Sequence, residues 1–153
     1  MPVFITSEIP PLEAVLVHTP GVELTAVTPG NREDYLYDDI IGLEIAQREH
    51  RRFVAVLERF CQVYQIADLL SETIARPEAR DFLISKTLDV VPSAPLAMRL
   101  SKMPAADLVR TLIEGLEEET GPIARSLNEQ GLPLPPLPNP FFPRDVVLVI
   151  GRH

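Results

Sequence analysis

The clearest periodicity in the chain runs from Glu44 to Phe60. Leu43, Ala46, Phe53, Val54, Leu57 and Phe60 recur every three or four residues, while Gln47, Arg48, Arg51, Arg52 and Glu58 fall elsewhere. That spacing predicts an amphipathic helix with the first set turned toward a core. Upstream, Leu12–His18 is a short apolar run between Pro10-Pro11 and Thr19-Pro20-Gly21, which predicts a buried strand. Downstream, Val63–Ile66 alternates apolar with polar or amphipathic residues and predicts a second strand. Strand, helix and strand in this order imply a helix laid on one face of a sheet. Between Val22 and Asp39 no period holds, a turn is marked by Pro29-Gly30-Asn31, and Asp38-Asp39 adds negative charge. A long loop is expected there, and such loops inside compact domains are usually functional or mobile.

From Asp68 to Gly131 the pattern becomes a series of short helices. Pro77 opens one whose Phe82 and Leu83 face a core, and Ser93 with Pro95 forms a cap and first turn before Leu96 and Leu100. Pro104 opens another, with Leu108, Leu112 and Leu116 at every fourth position. A last one carries Ile123 and Leu127 and stops at Gly131. Short amphipathic helices of this kind pack on one another as a small bundle.

The region after Gly131 changes character again. Six of the sixteen prolines lie between Pro133 and Pro143, so the stretch should be extended, stiff and without internal hydrogen bonds. Val146–Ile150 follows as five large aliphatics and reads as a strand buried on both faces. Such a strand needs sheet neighbours. Either a small edge-closed sheet accommodates it, or the chain is the front part of a longer fold whose second sheet unit begins here. The burial argument favours the second. The expected organisation is α/β: a first strand–helix–strand unit over 1–67, a helical bundle over 68–131, and a Pro-rich segment with the next strand over 132–153.

Composition narrows the function classes. Hydrophobic residues make up 46% of the 153 and charged ones 24%, a globular balance. A net charge of −8 with no basic cluster argues against nucleic-acid binding. One cysteine forms no internal disulfide, which favours a reducing, cytoplasmic setting, and Met1–Ile9 lacks the basic leader of a signal peptide. No apolar run is long enough for a bilayer span, so no membrane partner is expected.

Few residues point to chemistry by themselves. The sequence holds no Gly-rich phosphate loop, GxSxG, HExxH or CxxC pair, and His18, His50 and His153 have no partner at ligand spacing, so neither metal nor cofactor is expected. Cys61 ends an amphipathic helix with no histidine nearby and reads as a small buried hydrophobe rather than a nucleophile. His50 reads as a solvated or helix-packing residue, and His18 as the donor or acceptor of a structural hydrogen bond. Asp145 differs. It stands between the rigid proline segment, with Phe141 and Phe142, and the apolar run, where a partly desolvated carboxylate suits a flat cation held by two hydrogen bonds. A turn-forming aspartate or an ion pair with Arg144 is the competing reading.

Leu134-Pro135-Pro136-Leu137-Pro138-Asn139, followed by Phe142-x-Arg144-Asp145, resembles the P-P-L-P-N-x-x-F-T-R-D segment of arginine deiminases and their relatives. Leu12–Gly21 is similar to the early strand and H-x-P-G turn of that family. Tyr35-Leu36-Tyr37-Asp38-Asp39-Ile40 resembles its L-x-D-D loop, followed by the helix carrying Glu49-His50. The three matches occur in family order. The resemblance implies a propeller of five sheet units around a pseudo-fivefold axis (the pentein architecture), with a helical bundle inserted after the first unit. It also implies that Asp145 grips the guanidinium of a small substrate such as arginine, that Asn139 contacts the amino-acid end, and that Phe142 lines the pocket. The loop at Asp38-Asp39 would help to close the site.

Two departures accompany the resemblance: Pro143 stands where the family usually has Thr, and Pro140 follows Asn139. The family's nucleophilic cysteine and acid/base histidine belong to later units, so the chain alone is expected to be inactive. An amidinotransferase relative and a non-catalytic interaction module on a degraded scaffold are the alternatives, and the edge of the terminal strand makes a homo-oligomer conceivable.

Overall fold

The computed structural model describes Ser7, residues 9–116 and residues 134–146. Strand β1 (Ala14–Val17) and strand β2 (Gln62–Gln65) pair in parallel, with Ala14 opposite Gln62 and Val17 opposite Gln65. Parallel pairing requires a crossover, and helix α1 (Leu43–Leu57) supplies it. The order strand, helix, strand is the one expected, and β2 runs straight into helix α2 (Ile66–Ile74).

Helix α1 buries less than its period suggests. Ala46 is buried and Leu43 packs beside it, but Phe53 is 55% exposed, and Phe60, expected to lie in the same helix, stands in a turn beyond its end at Leu57 and is 74% exposed. Both were expected to face a core. Among the described residues the sheet has two strands of four residues each, which cover little of a fifteen-residue helix. Cys61, half-buried, donates from Sγ to the Leu57 carbonyl at 3.4 Å, consistent with a structural thiol.

The stretch expected to be one long loop contains a 3-10 helix at Val22–Ala26. Its first turn closes by Leu24 N–H to Gly21 O at 3.2 Å, and Thr25 Oγ1 donates to Val22 O. Asn31 then ties the Pro29-Gly30 turn together. Its Oδ1 accepts from Thr28 N at 2.7 Å and its Nδ2 donates to Ala26 O at 2.9 Å.

Helices α2, α3 (Pro77–Val90), α4 (Ala94–Lys102) and α5 (Ala105–Glu114) share one core built on Ile74, Ile84, Leu96, Leu100, Leu108 and Leu112. Local signals set their ends as expected: Pro77 sits in the first turn of α3, and Ser93 Oγ accepts from Leu96 N at 3.3 Å. The C-terminus of α4 is closed by Arg80, whose Nη2 donates to the carbonyls of Leu100, Ser101 and Met103. On α3 the inward residues are Leu83 and Ile84, while Phe82 is 60% exposed, so the core face is turned by one position from the expected one.

Two hydrogen bonds lay the Pro-rich segment along the end of α5. Leu116 N donates to Leu134 O and Leu137 N donates to Ile113 O, each at 2.8 Å. Gly115 makes the junction possible. Its φ of 81° and ψ of −173° suit only glycine, and an added Cβ would lie 2.7 Å from both Leu134 O and Pro136 N.

Beyond Pro138 the segment is not wholly extended, contrary to expectation. Asn139–Phe141 forms a 3-10 turn, with Phe141 N donating to Pro138 O and Phe142 N to Asn139 O. Pro143–Val146 then forms a single helical turn. Val146 therefore stands in a helical turn, not at the start of the expected strand: Pro143 fixes a helical φ at the first position, and Asp145 N bonds back to Phe142 O. The remainder of that strand, Val147–Ile150, and the helix carrying Ile123 and Leu127 lie outside the described residues. Among the described residues no helix is long and apolar enough to cross a membrane.

Candidate functional site

The Pro-rich segment meets the first loop at Tyr37. Pro138 is fully buried, and its carbonyl accepts a hydrogen bond from the buried Tyr37 hydroxyl at 3.0 Å, joining positions 101 apart in the chain. The Tyr37 ring lies 5.5 Å from that of Phe142, and Phe142 lies 4.9 Å from Phe141 in an edge-on arrangement. Phe141 reaches back to α1, its ring 6.3 Å from that of His50. Tyr37 itself belongs to a small core with Leu24, Val27 and Ala46.

The structure places the three candidate substrate residues within this short stretch. Asn139 is half-buried at the start of the 3-10 turn, and Phe142 is 40% exposed at its end. Asp145, in the single helical turn Pro143–Val146, is exposed rather than partly desolvated. Asp38 and Asp39 are exposed on the neighbouring loop, directly after Tyr37. That loop is tightly wound: Tyr37 N donates to Arg32 O at 2.9 Å, and Arg32 Nη1 donates to Asp38 O. Leu36 is held at φ 62°, a left-handed conformation costly for a bulky residue, and its side chain is 89% exposed.

Beside the aromatic group lies a buried histidine–carboxylate hydrogen bond. His18 ends β1, Pro20-Gly21 turns the chain, and Glu23 returns so that its Oε1 accepts from His18 Nε2 at 2.9 Å and from Gly21 N at 2.6 Å. His18 thus makes the structural bond expected of it. Burial works against a charge on Glu23, but the His18 and Gly21 hydrogen bonds outweigh it and hold the carboxyl below its ordinary range. Burial and the Glu23 charge push the Tyr37 hydroxyl up to about 12, so it remains a donor. His50 is half-buried and, among the described residues, its buried Nδ1 has no hydrogen-bond partner; burial and the neighbouring His18 lower its pKa.

Neither Glu23 nor Tyr37 was singled out from the sequence. For Glu23 a signal existed, since a Pro-Gly turn between His18 and Glu23 brings residues five apart face to face. Tyr37 stood in the sequence only as the unspecified position of the L-x-D-D stretch, and its partner, a backbone carbonyl far along the chain, left no signal. Among the described residues no cluster of three or more His, Cys, Asp or Glu side chains is placed to hold a metal ion. A shallow depression of about 440 Å³ on α4 is lined by Ala94, Pro95, Met98, Arg99 and Lys102, none of them a candidate site residue.

Comparison with known proteins bears on this segment directly. The family model described as arginine deiminase matches residues 33–153, most of the chain and all of the Pro-rich segment. The chain belongs to the arginine deiminase family. It is 33% identical over 161 residues to the arginine deiminase of Metamycoplasma arthritidis (strain 158L3-1), covering 98% of this chain and 39% of that protein. It is 34% identical over 165 residues to the arginine deiminase of Rhodococcus jostii (strain RHA1), covering 98% and 41%. With arginine deiminase 1 of Staphylococcus epidermidis (strain ATCC 12228 / FDA PCI 1200) the identity is 30% over 164 residues, covering 99% and 40%. The chain therefore spans about two fifths of the length of these arginine deiminases. The match begins inside the first loop, just before Tyr37, and takes in both partners of the Tyr37–Pro138 bond.

Proposed function

We propose that the chain supplies the guanidino-binding part of an arginine deiminase-like hydrolase and that it does not turn over arginine by itself. Asp145 accepts two hydrogen bonds from the planar guanidinium, Asn139 contacts the amino-acid end, and Phe142 lines the pocket. In the family reaction a thiolate attacks the guanidinium carbon, ammonia leaves, and water cleaves the covalent amidino intermediate to a ureido product and the free thiol. Cys61, bonded to the Leu57 carbonyl at the end of α1, is not that thiolate, and the part played here is substrate positioning. On this reading β1, α1 and β2 form the first unit of a pentein propeller, and α2–α5 belong to an inserted bundle.

The observation that carries the reading is the family match across Asn139, Phe142 and Asp145, within a segment whose origin is pinned by Tyr37. It is tested by titrating the purified chain with arginine, methylguanidine, citrulline and lysine, followed by amide NMR, alongside assays of ammonia and citrulline release. The two guanidino compounds should bind, citrulline and lysine should not, and neither product should form. Equal binding of all four, or release of ammonia from arginine, contradicts it.

The exposure of Asp145 favours a second reading, a non-catalytic interaction module on the same scaffold. It is the reading left standing if arginine does not bind to a cooperatively folded chain. An amidinotransferase relative would grip the same guanidinium and differ only in the acceptor of the amidino group.

A further inference from the structure

The geometry points to Tyr37 as a positioning residue that couples the first loop to the guanidino-binding segment, setting the placement of Asn139, Phe142 and Asp145 through the Pro138 carbonyl. The inference rests on the guanidino reading above and adds to it a residue that touches no substrate.

The Pro138 carbonyl is where the segment changes direction. It accepts the Tyr37 hydroxyl at 3.0 Å and also the Phe141 amide at 3.3 Å, the bond that opens the 3-10 turn. Asn139 follows immediately, Phe142 closes the turn, and Asp145 N is bonded to Phe142 O. A shift of that carbonyl therefore passes to all three candidate residues through consecutive short-range bonds. The Tyr37 ring adds a second contact, against Phe142 at 5.5 Å.

Tyr37 is itself fixed in place. Its amide donates to Arg32 O, its ring is buried with Leu24, Val27 and Ala46, and Leu36 before it is held in a left-handed conformation. A bulky exposed residue in that conformation indicates that the surrounding bonds determine the loop backbone. Asp38 and Asp39 come next in the chain, so one side chain joins the acidic loop to the segment bearing Asp145. Burial, and after it the Glu23 charge, pushes the hydroxyl up to about 12, so the bond persists across the ordinary pH range.

The test compares wild-type and Tyr37→Phe forms of the 153-residue chain by amide NMR, first free and then titrated with arginine. The substitution keeps the ring and removes the hydrogen bond. The expected result is a displacement of the Asn139, Phe142 and Asp145 amide signals, with those of α3 and α4 unmoved and arginine binding weakened about fivefold, the equivalent of one net hydrogen bond. Unchanged arginine affinity overturns the inference, as do signal changes spread through α3 and α4, which would mark general loosening. A wild-type chain that binds no arginine overturns the guanidino reading and this inference together. A wild-type chain that binds, with a Tyr37→Phe form equal to it, overturns this inference alone.

Discussion

Replacing Gly115 by alanine tests how firmly the helical layer holds the Pro-rich segment. At φ 81° and ψ −173° any residue with a Cβ is strained, at a cost of about 1–3 kcal/mol. The new methyl would also lie 2.7 Å from Leu134 O and Pro136 N and 3.1 Å from Pro135 C. All three are backbone atoms, so no side chain can swing aside. Relief requires moving the end of α5 or residues Leu134–Pro136, which breaks the Leu116–Leu134 and Ile113–Leu137 hydrogen bonds, each worth about 1 kcal/mol net. Against this, alanine lowers the entropy of the unfolded chain by about 0.4–1 kcal/mol. The balance is a loss of about 2–4 kcal/mol. For a chain of this length that corresponds to a fall of roughly 5–15 °C in the thermal midpoint. Thermal unfolding followed by circular dichroism measures it, and hydrogen exchange at Leu116 and Leu137 should show lost protection. A midpoint unchanged to within about 1 °C, with both amides still protected, would refute the claim that Gly115 is the tight junction between α5 and the segment.

Two further predictions concern the titratable groups around Tyr37 and His50. Glu23→Gln removes the charge that bears on Tyr37 but leaves its burial, so the Tyr37 hydroxyl should ionise at a lower pH than about 12, seen as an earlier tyrosinate absorbance change in a spectrophotometric titration; an unshifted titration contradicts the proximity of the two groups. His50 binds its proton less readily folded than unfolded, so its contribution to stability is intact above the unfolded value of 6.5 and is lost as pH falls through the lowered folded value. His50→Gln should therefore flatten the loss of stability below pH 6.5 relative to wild type in denaturant titrations. Glu23, held low, and Glu114, whose pKa is raised chiefly by burial and so has the opposite sign, are common to both proteins and drop out of the difference. Parallel pH profiles for the two proteins would count against it.

Much of the fold could be read from local chemistry. The strand, crossover helix and second strand follow from periodicity and from the Pro-Gly turn after His18. The starts of α3 and α4 follow from Pro77 and Ser93, whose effects act within one helical turn. The errors lie where distant contacts or competing local rules decide. Phe53, Phe60 and Phe82 belong to helical patterns, yet their exposure depends on how much sheet or helix lies opposite, which spacing does not encode. Val146 reads as strand by β-propensity, but Pro143 and the Phe142 carbonyl set a helical turn first. At the candidate site, Asn139, Phe142 and Asp145 were legible as a motif through family resemblance. Tyr37, which anchors their segment, was not, because a bond to a backbone carbonyl 101 residues away leaves no mark on either local sequence.

The central claim is that Asp145 holds a guanidinium, and titrating the purified chain with arginine in its wild-type and Asp145→Asn forms tests it most directly. Calorimetry or amide NMR should show saturable binding by the wild type, with shifts at Asn139 and Phe142, and loss of that binding in the variant while the signals of α2–α5 stay in place. Equal arginine affinity in the two proteins would contradict the account.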